Sequence, residues 1–395
     1  MSEWKKVKLG EVCEISAGGD RPQIFSNHIT DKCRIPIYSN GIDNEGLYGF
    51  TDTPKNNGNA ITITGRGANA GTVFYRKDPF LSIIRLLTLT PNSEIINAKY
   101  LFYLLKNKTF LSTGSAQPQI TVPNISQFEI EFNPDIETQH RIATILSRYD
   151  SLIENYQKQI KLLEEAAQRL YKEWFIDLHF PGHENTNIVD GVPEGWEKKK
   201  LCELFSFVRG KSYTSKELSD EGTIMVNLKN IQSFGGYKSD VEKHFIGTYK
   251  EEQTLMKGDL IMGVTDMTQE RRLVGSVALI PDFKETATFS MDLIKLISFK
   301  LPNIYLYCAM RYGDVSRQIA PLANGVNVLH LKPEAISNIE MVVASDSIIE
   351  KFVSYTSKTI ESILSLQSQL RLLTEARDRL LPKMMSGEIK IESLN

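Results

Sequence analysis

Disulfides, membrane spans and a strong net charge are all missing from this sequence of 395 residues. Its four cysteines, Cys13, Cys33, Cys202 and Cys308, stand far apart without a CxxC pair, which argues against a disulfide framework or a zinc knuckle. No apolar run approaches the ~18 residues that a membrane helix requires, and residues 1–6 are too polar for a signal peptide. We therefore expect a cytoplasmic protein without membrane contact. The net charge of -2 argues against a uniformly basic surface, although basic patches can still bind DNA.

The motifs of three catalytic classes are missing too. An amino-methyltransferase holds its target amine in an Asn/Asp-Pro-Pro-aromatic turn, but no two of the 15 prolines are adjacent. A P-loop needs a glycine five residues before Gly210-Lys211-Ser212, where this chain has Phe205. A metal-dependent nuclease needs clustered acidic residues and a lysine, but Asp135 lies more than sixty residues before Glu197.

His179 and His183 have the spacing of two metal ligands on a helix, but Pro181 and Gly182 between them break the helix. The spacing therefore indicates a loop pair. We predict that this chain has no catalytic residue, binds no metal and carries no cofactor.

The sequence repeats itself once. Trp4-x-Lys6-x-Lys8-Leu9 reappears as Trp196-x-Lys198-x-Lys200-Leu201, at an offset of 192 residues. Two further matches, Gly71-x-Val73 with Gly275-x-Val277 and Tyr103 with Tyr307, follow at an offset of 204. Residues 159–170 share seven of twelve positions with residues 369–380, at an offset of 210. Four matches in the same order indicate a duplicated architecture.

Each copy begins with short β-branched runs between turn residues and ends in a helical period. The runs at 60–64 and 80–84 predict strands, and a helix is predicted from Ala98 to Phe110. The sequence thus predicts a first β-rich domain, a central helix, a linker, a second β-rich domain, a distal helix and a tail, at residues 1–134, 135–180, 181–195, 196–344, 345–388 and 389–395.

Apolar residues recur every seven positions in both predicted long helices. In the first helix this row is Ile142, Tyr149, Tyr156, Leu163 and Leu170. In the second helix the apolar residues are Ile363, Leu366, Leu370, Leu373, Leu380 and Met384. We predict an α+β fold in which a pair of long antiparallel helices, packed as a coiled coil, separates two β-rich domains related by a pseudo-two-fold repeat. The alternative is that each helix lies on its own β-rich domain.

Further apolar residues widen the stripe on the first helix. They predict a surface for a partner subunit and are Leu146, Ile153, Ile160, Leu162, Trp174 and Phe175. The alternative is that these side chains pack on the β-rich domains.

Polar side chains in loops recur in both copies. Arg, Asn, Gln and Lys can contact base edges in the major groove of DNA, and neighbouring glycines admit close approach to phosphate. The candidates in the first copy are Arg21, Tyr38, Asn40, Arg66, Asn69, Gln117, Gln119 and Thr121. Those in the second are Arg209, Lys211, Tyr213, Asn227, Lys229, Asn230, Thr265, Gln269, Arg271, Arg272, Asn327 and His330. For each residue, a solvated loop position or a local turn hydrogen bond is the alternative interpretation.

The repeated sequence segments resemble the specificity subunit of a type I restriction-modification system, and the resemblance covers essentially the whole chain. The matching segments are 4–11, 71–73, 119–121, 138–146, 172–175, 191–196 and 376–389. One departure is at residues 347–350, which lack the Gln-x-x-Ile-Ala phrase that begins at Gln139.

The resemblance implies two target-recognition domains on an antiparallel helical spacer, reading a bipartite, asymmetric site in double-stranded DNA. It also implies binding to two modification subunits, which hold S-adenosylmethionine and methylate adenine. Two motor-nuclease subunits, which use ATP and Mg²⁺, are the further implied partners. Two alternatives stay open: the recognition subunit of a related, non-translocating restriction-modification system, and a protein scaffold that binds two identical partners without reading DNA.

Overall fold

The computed structural model describes residues 4–67, 69–106, 108–110, 119–239 and 243–389. The chain forms two compact units. The first unit contains the described residues up to Asp150 together with those from Ala376 onward, and the second contains Ser151–Glu375. The boundary crosses both long helices, Ile136–Tyr171 and Asp346–Met385. Each unit therefore combines a β-rich part with a segment of both helices.

The β-rich part of the first unit has two main sheets and a short ladder. The four-stranded antiparallel sheet has the order Cys13–Ala17, Leu87–Pro91, Ala60–Ile63 and Val73–Arg76. The three-stranded sheet has the order Leu47–Thr51, Ile35–Tyr38 and Leu81–Ser82, and its last pair is parallel. The ladder pairs Lys5–Lys8 with Glu129–Phe132.

Helices of the first unit lie at Leu9–Val12, Ala98–Leu105 and Val122–Ser126, with a 3-10 turn at Asp43–Gly46. The strands predicted at 60–64 and 80–84 are confirmed in shorter form. The predicted helix from Ala98 ends at Leu105, five residues before Phe110.

The second unit repeats this plan with insertions. Its first sheet has the order Phe205–Arg209, Leu293–Ser298, Leu260–Gly263 and Val277–Leu279. Its second sheet has the order Leu218–Ser219, Lys243–Phe245, Thr223–Val226 and Ala287–Phe289. Shorter ladders pair Glu197–Lys200 with Glu340–Val343, Thr265–Asp266 with Leu329–His330, and Ile188–Val189 with Val192–Pro193.

Helices of the second unit lie at Leu201–Leu204, Asn303–Tyr312 and Val315–Ile319. The 3-10 turns lie at His183–Asn185, Ser215–Glu217, Leu228–Asn230, Glu251–Gln253, Ala320–Leu322 and Pro333–Ile336. The predicted fold class, α+β with an internal duplication and two long helices, is confirmed.

A buried tyrosine corrects the alignment of the two copies. The amide N–H of Asn133 donates to the Tyr100 hydroxyl at 3.2 Å, and the amide of Ala344 donates to the Tyr305 hydroxyl at 3.3 Å. These equivalent bonds align Tyr100 with Tyr305, so the predicted match of Tyr103 with Tyr307 is wrong by one residue. Burial raises the pKa of both hydroxyls, Tyr100 and Tyr305, to about 12.

The helix seam also differs from the prediction. Buried positions of the first helix follow the row Leu146, Ile153, Ile160, Ala167 and Trp174. The row predicted as the seam is buried at Ile142 but only half-buried at Tyr149, Tyr156, Leu163 and Leu170. The two rows are the a and d positions of one heptad seam, so no surplus apolar stripe exists along them. The sequence could not separate them because both rows are apolar.

Segments of the two helices run antiparallel within each unit. In the first unit, Leu146 and Leu381 share one core with Leu9, Leu89 and Tyr100 of the β-rich part. In the second unit, the Trp174 ring lies 5.9 Å from Phe352 and 5.8 Å from Tyr355. Both predicted packing modes therefore occur together, because the helix segments contact each other and the β-rich part.

Among the described residues, none of the helices is long and apolar enough to cross a membrane.

Candidate DNA-recognition surface

Two loop segments meet in the first unit, and we name them the first loop pair: residues 64–67 and 69–72 with residues 119–121. Arg66 forms a β-bridge with Gln119, and the amide of Ile120 donates to the Gly65 carbonyl at 2.9 Å. The sequence between the two segments spans about fifty residues, so only the fold brings these candidates together.

The Asn40 side chain holds the first loop pair in place through two hydrogen bonds. Its side-chain oxygen accepts from the Gly65 amide at 2.7 Å, and its amide group donates to the Ile84 carbonyl. Ile84 and Arg85 both have left-handed backbone, with φ of 52° and 58°. Each end of the Asn40 amide has one further hydrogen-bonding position, so Asn40 has a positioning role here and stays a prediction as a DNA contact.

The equivalent segments meet in the second unit, and we name them the second loop pair: residues 264–275 with residues 324–331. Thr265 pairs with His330, and Asp266 pairs with Leu329. The amide of Leu331 donates to the Val264 carbonyl at 2.8 Å, in the same position as the bond between Ile120 and Gly65.

Asp266 organises the longer loop of this pair. Its buried carboxylate accepts from the Thr268 amide at 2.7 Å, the Thr268 hydroxyl at 2.8 Å and the Leu273 amide at 2.8 Å. The sequence placed the stretch from Thr265 to Gln269 among the candidates but assigned Asp266 no role of its own. The Asp-x-Thr spacing, which favours a side-chain turn of this kind, was the available signal.

Polar contacts also join the two loops of the second pair. The Gln269 side-chain amide donates to the Val326 carbonyl at 2.8 Å, and just before the second loop the Pro321 carbonyl accepts from the Arg271 guanidinium at 3.4 Å. Arg271 has left-handed backbone, with a φ of 53°, and its Nε atom is buried without a hydrogen-bond partner. Strained residues of this kind occur where the surrounding structure enforces them, often at functional sites.

Other candidates of the first unit have varied surroundings. Arg66 and Asn69 are exposed on the first loop pair, Gln119 is half-buried, and Arg21 is exposed above the Phe25 ring. The Tyr38 ring lies 3.6 Å from the Arg76 guanidinium, and Thr121 caps the helix Val122–Ser126. Their positions indicate internal roles for Tyr38 and Thr121. Gln117 lies outside the described residues.

Arg76 is a buried cation that our sequence reasoning missed. Its guanidinium donates to the Thr62 hydroxyl and the Glu45 carboxylate at 3.0 Å each, and to the Glu45 carbonyl at 2.6 Å. Burial lowers the pKa of Arg76, against the opposing effects of Tyr38 and Glu45. These bonds hold a turn in which Asn44 and Glu45 both have positive φ.

Three candidates of the second unit are corrected. The Asn227 side chain accepts from the Lys229 amide at 3.0 Å and donates to the Met225 carbonyl at 3.3 Å. The Asn230 side chain accepts from the Asn227 amide at 3.0 Å and is buried, like Asn227 and Thr265. Because the amides of Asn227 and Asn230 are used in their own turn, and the buried Thr265 hydroxyl faces His330 Nδ1 at 3.4 Å, the structure indicates internal roles for all three.

The remaining candidates of the second unit stay predictions. The exposed ones are Arg209, Lys229, Gln269, Arg272, Asn327 and His330, and the half-buried ones are Lys211, Tyr213 and Arg271. Arg209 pairs with Glu334 at 2.6 Å, and Arg272 pairs with Glu270 at 2.6 Å. Both are exposed ion pairs, which a phosphate could replace.

The described residues contain no group of three or more His, Cys, Asp or Glu side chains arranged to hold a metal ion. His179 and His183 lie beyond the helix with their rings 5.4 Å apart, and the His183 ring contacts the Phe180 carbonyl at 2.9 Å.

Comparisons with known proteins agree with this duplicated architecture. Residues 1–165 match the family described as the type I restriction modification DNA specificity domain. The type I restriction enzyme MjaIX specificity subunit of Methanocaldococcus jannaschii is 29% identical over 348 residues, covering 85% of this chain and 78% of that protein. The type I restriction enzyme HindI specificity subunit of Haemophilus influenzae is 23% identical over 476 residues, covering 98% of this chain and 100% of that protein. A crystal structure of the type I restriction-modification system S subunit from M. genitalium matches with a TM-score of 0.62 at 18% identity, covering 99% of this chain and 97% of that one.

Residues 1–165 thus resemble a type I DNA specificity domain, and the chain over most of its length resembles type I specificity subunits. This resemblance makes the two loop pairs the leading candidates for DNA contact.

The apolar residues predicted to bind a partner need correction. Leu146, Ile153, Ile160 and Trp174 are buried in the unit cores, and Phe175 is half-buried among the rings of Trp196, Tyr305 and Phe352. Heptad packing places Leu146, Ile153, Ile160 and Trp174 on the seam, whereas Phe175 follows it by one position. Leu162, with 64% of its surface exposed, is the one of these six residues that is exposed.

Polar residues fasten the helices to the β-rich parts, and our sequence reasoning missed them as anchors. In the first unit, Gln139 is buried at a heptad position. Its oxygen accepts from the Asn97 amide at 2.8 Å, and its amide group donates to the carbonyls of Ile95 and Asn133 at 3.1 and 2.8 Å. A polar residue in an otherwise apolar heptad row was the available signal.

The second unit uses an ion pair instead. The Arg311 guanidinium binds the Glu164 carboxylate in a bidentate geometry, at 2.8 and 3.0 Å, and the Tyr312 hydroxyl donates to the Glu164 carbonyl at 3.3 Å. Although burial disfavours the charge, the partners Tyr307 and Glu164 raise the pKa of Arg311.

Proposed function

We propose that this chain reads a bipartite, asymmetric DNA target, with the loop pair of each unit contacting one half-site. The proposal rests on one observation: the two units repeat the same arrangement of strands, the repeated frame, but carry different loops. The segment from Gly65 to Gly71 has seven residues, whereas its equivalent from Val264 to Gly275 has twelve. A shared frame positions both loop pairs in the same way, and their different side chains would read different sequences.

The chemistry of the loop pairs supports base contact. Exposed Arg66 and Asn69 in the first pair, and Asn327 and His330 in the second, carry donors and acceptors suited to base edges. The ladder between the two loops and the hydrogen bonds to the Asp266 carboxylate hold the second loop pair in a defined shape before DNA binds. Less ordering on binding favours affinity.

We further propose that the partners are those that the family resemblance implies. Two modification subunits would hold S-adenosylmethionine and methylate adenine, and two motor-nuclease subunits would use ATP and Mg²⁺. The sequence supports a division of labour, because this chain lacks the Asn/Asp-Pro-Pro-aromatic turn and the P-loop. Leu162, exposed on the first long helix, is the remaining apolar candidate for partner contact.

Domain exchange tests the proposal. Replacing residues 1–134 by the equivalent region of another specificity subunit should change one half of the methylated sequence, as measured by methylome sequencing of the host. The matched control exchanges residues 196–344 and should change the other half alone. A change in both half-sites from either exchange would contradict one reader per unit.

A gel shift of the complex at several salt concentrations separates DNA reading from a protein scaffold. Phosphate contacts make binding to the methylated sequence fall steeply with salt. A complex that assembles but shows no salt-dependent DNA binding would favour the scaffold.

A further inference from the structure

Two apolar side chains stand out on the second loop pair. Val326 and Met267, at 87% and 76%, have the highest exposed fractions among the large hydrophobic side chains of the described residues. They come from different loops, about sixty residues apart in sequence, and the fold brings those loops together.

The backbone that presents them is fixed. Met267 lies between Asp266, which is in the ladder, and Thr268, whose amide and hydroxyl both donate to the Asp266 carboxylate. The Val326 carbonyl accepts from Gln269, and the neighbouring Gly325 has a φ of 152°. A Cβ atom at Gly325 would lie 1.9 Å from the Val328 carbonyl oxygen, so the tight turn requires glycine.

Their surroundings are polar. Gln269, Arg272, Asn327 and His330 are exposed on the same loops, so the two apolar side chains do not form part of a broad apolar patch. Isolated apolar groups among hydrogen-bonding groups match the major groove, where the 5-methyl group of thymine is the apolar feature between donors and acceptors.

We propose that Met267 and Val326 read thymine methyl groups in the half-site contacted by the second unit. This inference rests on the proposed function. It names the 5-methyl group of thymine as the feature of DNA that the second loop pair selects. Removing one buried methyl group weakens such a contact by about fourfold.

The test compares thymine with uracil, which lacks the 5-methyl group. The probe is a duplex carrying the methylated sequence of the host, with the thymines of the second-unit half-site replaced by deoxyuridine. That half-site is the one left unchanged when residues 1–134 are exchanged. Binding is measured with the assembled modification complex that contains the full chain.

Wild type should lose about fourfold in affinity for each contacted methyl group. The double variant Met267→Ala, Val326→Ala should bind the thymine duplex more weakly and respond little to uracil. Met256→Ala is the matched control, since Met256 is also exposed but lies outside the loop pair, and it should keep the full response. Both variant positions are exposed, so unfolding temperatures should stay at the wild-type value.

A wild type whose affinity does not fall with uracil would overturn the inference, as would a double variant that keeps the wild-type response to uracil. In both cases specific binding of wild type to the duplex would leave the proposed function intact. Loss of specific binding by wild type itself would instead contradict the proposed function.

Discussion

The two units share a frame but fasten their helices by different means. In the first unit, the Tyr103 hydroxyl and the Arg377 guanidinium donate to Asp150 at 2.5 and 2.9 Å. The second unit relies on the pair of Arg311 with Glu164 and on two buried contacts from the second helix. These contacts are Gln367 to the Tyr237 carbonyl at 3.3 Å and Arg371 to the Phe283 carbonyl at 2.7 Å.

The two copies share some features and differ in others. Apolar positions and backbone bonds recur, as in Tyr100 with Tyr305 and in the ladders that start each copy. Polar anchors do not recur: Gln139 corresponds to Ile349 at the offset of 210. The frame therefore depends on repeated apolar residues, and each unit has its own polar fastening.

The largest effect on stability is expected from the seam. Trp174→Ala should destabilise the second unit by about 3–5 kcal/mol, and Leu146→Ala the first unit by about 2–5 kcal/mol, because both side chains are buried and leave cavities. Calorimetric unfolding of each variant measures the change. Leu162→Ala is the exposed control on the same helix and should unfold like wild type. A Trp174→Ala variant with wild-type stability would return this residue to the partner surface.

The two ion pairs should differ in how much they contribute to the free energy of unfolding, by a somewhat smaller amount. Side chains of Arg311 and Glu164 are 10% and 13% exposed, against 16% and 24% for Arg377 and Asp150. Arg311→Ala leaves a buried carboxylate unpaired and should cost about 3–5 kcal/mol, whereas Arg377→Ala should cost about 1–2 kcal/mol because Tyr103 still binds Asp150.

Denaturant unfolding gives both values, with the exposed Arg317→Ala as the matched control. Equal losses at Arg311 and Arg377 would mean that the two fastenings are energetically alike, contrary to the comparison.

The smallest of the three effects should come from exchanging the equivalent residues Gln139 and Ile349. Gln139→Ile leaves the Asn97 amide and two carbonyls without their partner, at a cost of about 2–3 kcal/mol. Ile349→Gln buries an amide in an apolar site and should cost about 1–3 kcal/mol. Thermal unfolding measures both variants. If either substitution stabilised its unit, the polar fastening would be interchangeable between the copies.

Much of the frame could be predicted from the sequence, because repeated apolar residues and turn residues act locally. The long helices begin at Ile136 and Asp346, within two residues of the predicted starts. The seam of the first helix could not be assigned, since only tertiary contact distinguishes its two apolar rows.

The candidate site was harder to predict because the same residue types serve two purposes. Asn227 and Asn230 carry the amides that could read adenine, but they close a turn instead. Arg66 and Gln119 were paired by the fold, which no local pattern encodes. Met267 and Val326 were passed over because an apolar side chain is informative only once its exposure is known.

The first unit combines an early and a late segment of the chain, and this sets the order in which the molecule can fold during synthesis. Its core needs Leu381 and Met384, and Trp4 packs so closely on Gly387 that a Cβ atom there would lie 2.8 Å from the indole nitrogen. The second unit is continuous and is complete once Glu375 has left the ribosome. At translation rates of about 5–20 residues per second, the first 150 residues wait roughly 10–45 s for their closing segment. The part of the protein made first is thus the part finished last, and during that interval its apolar core is open to chaperones.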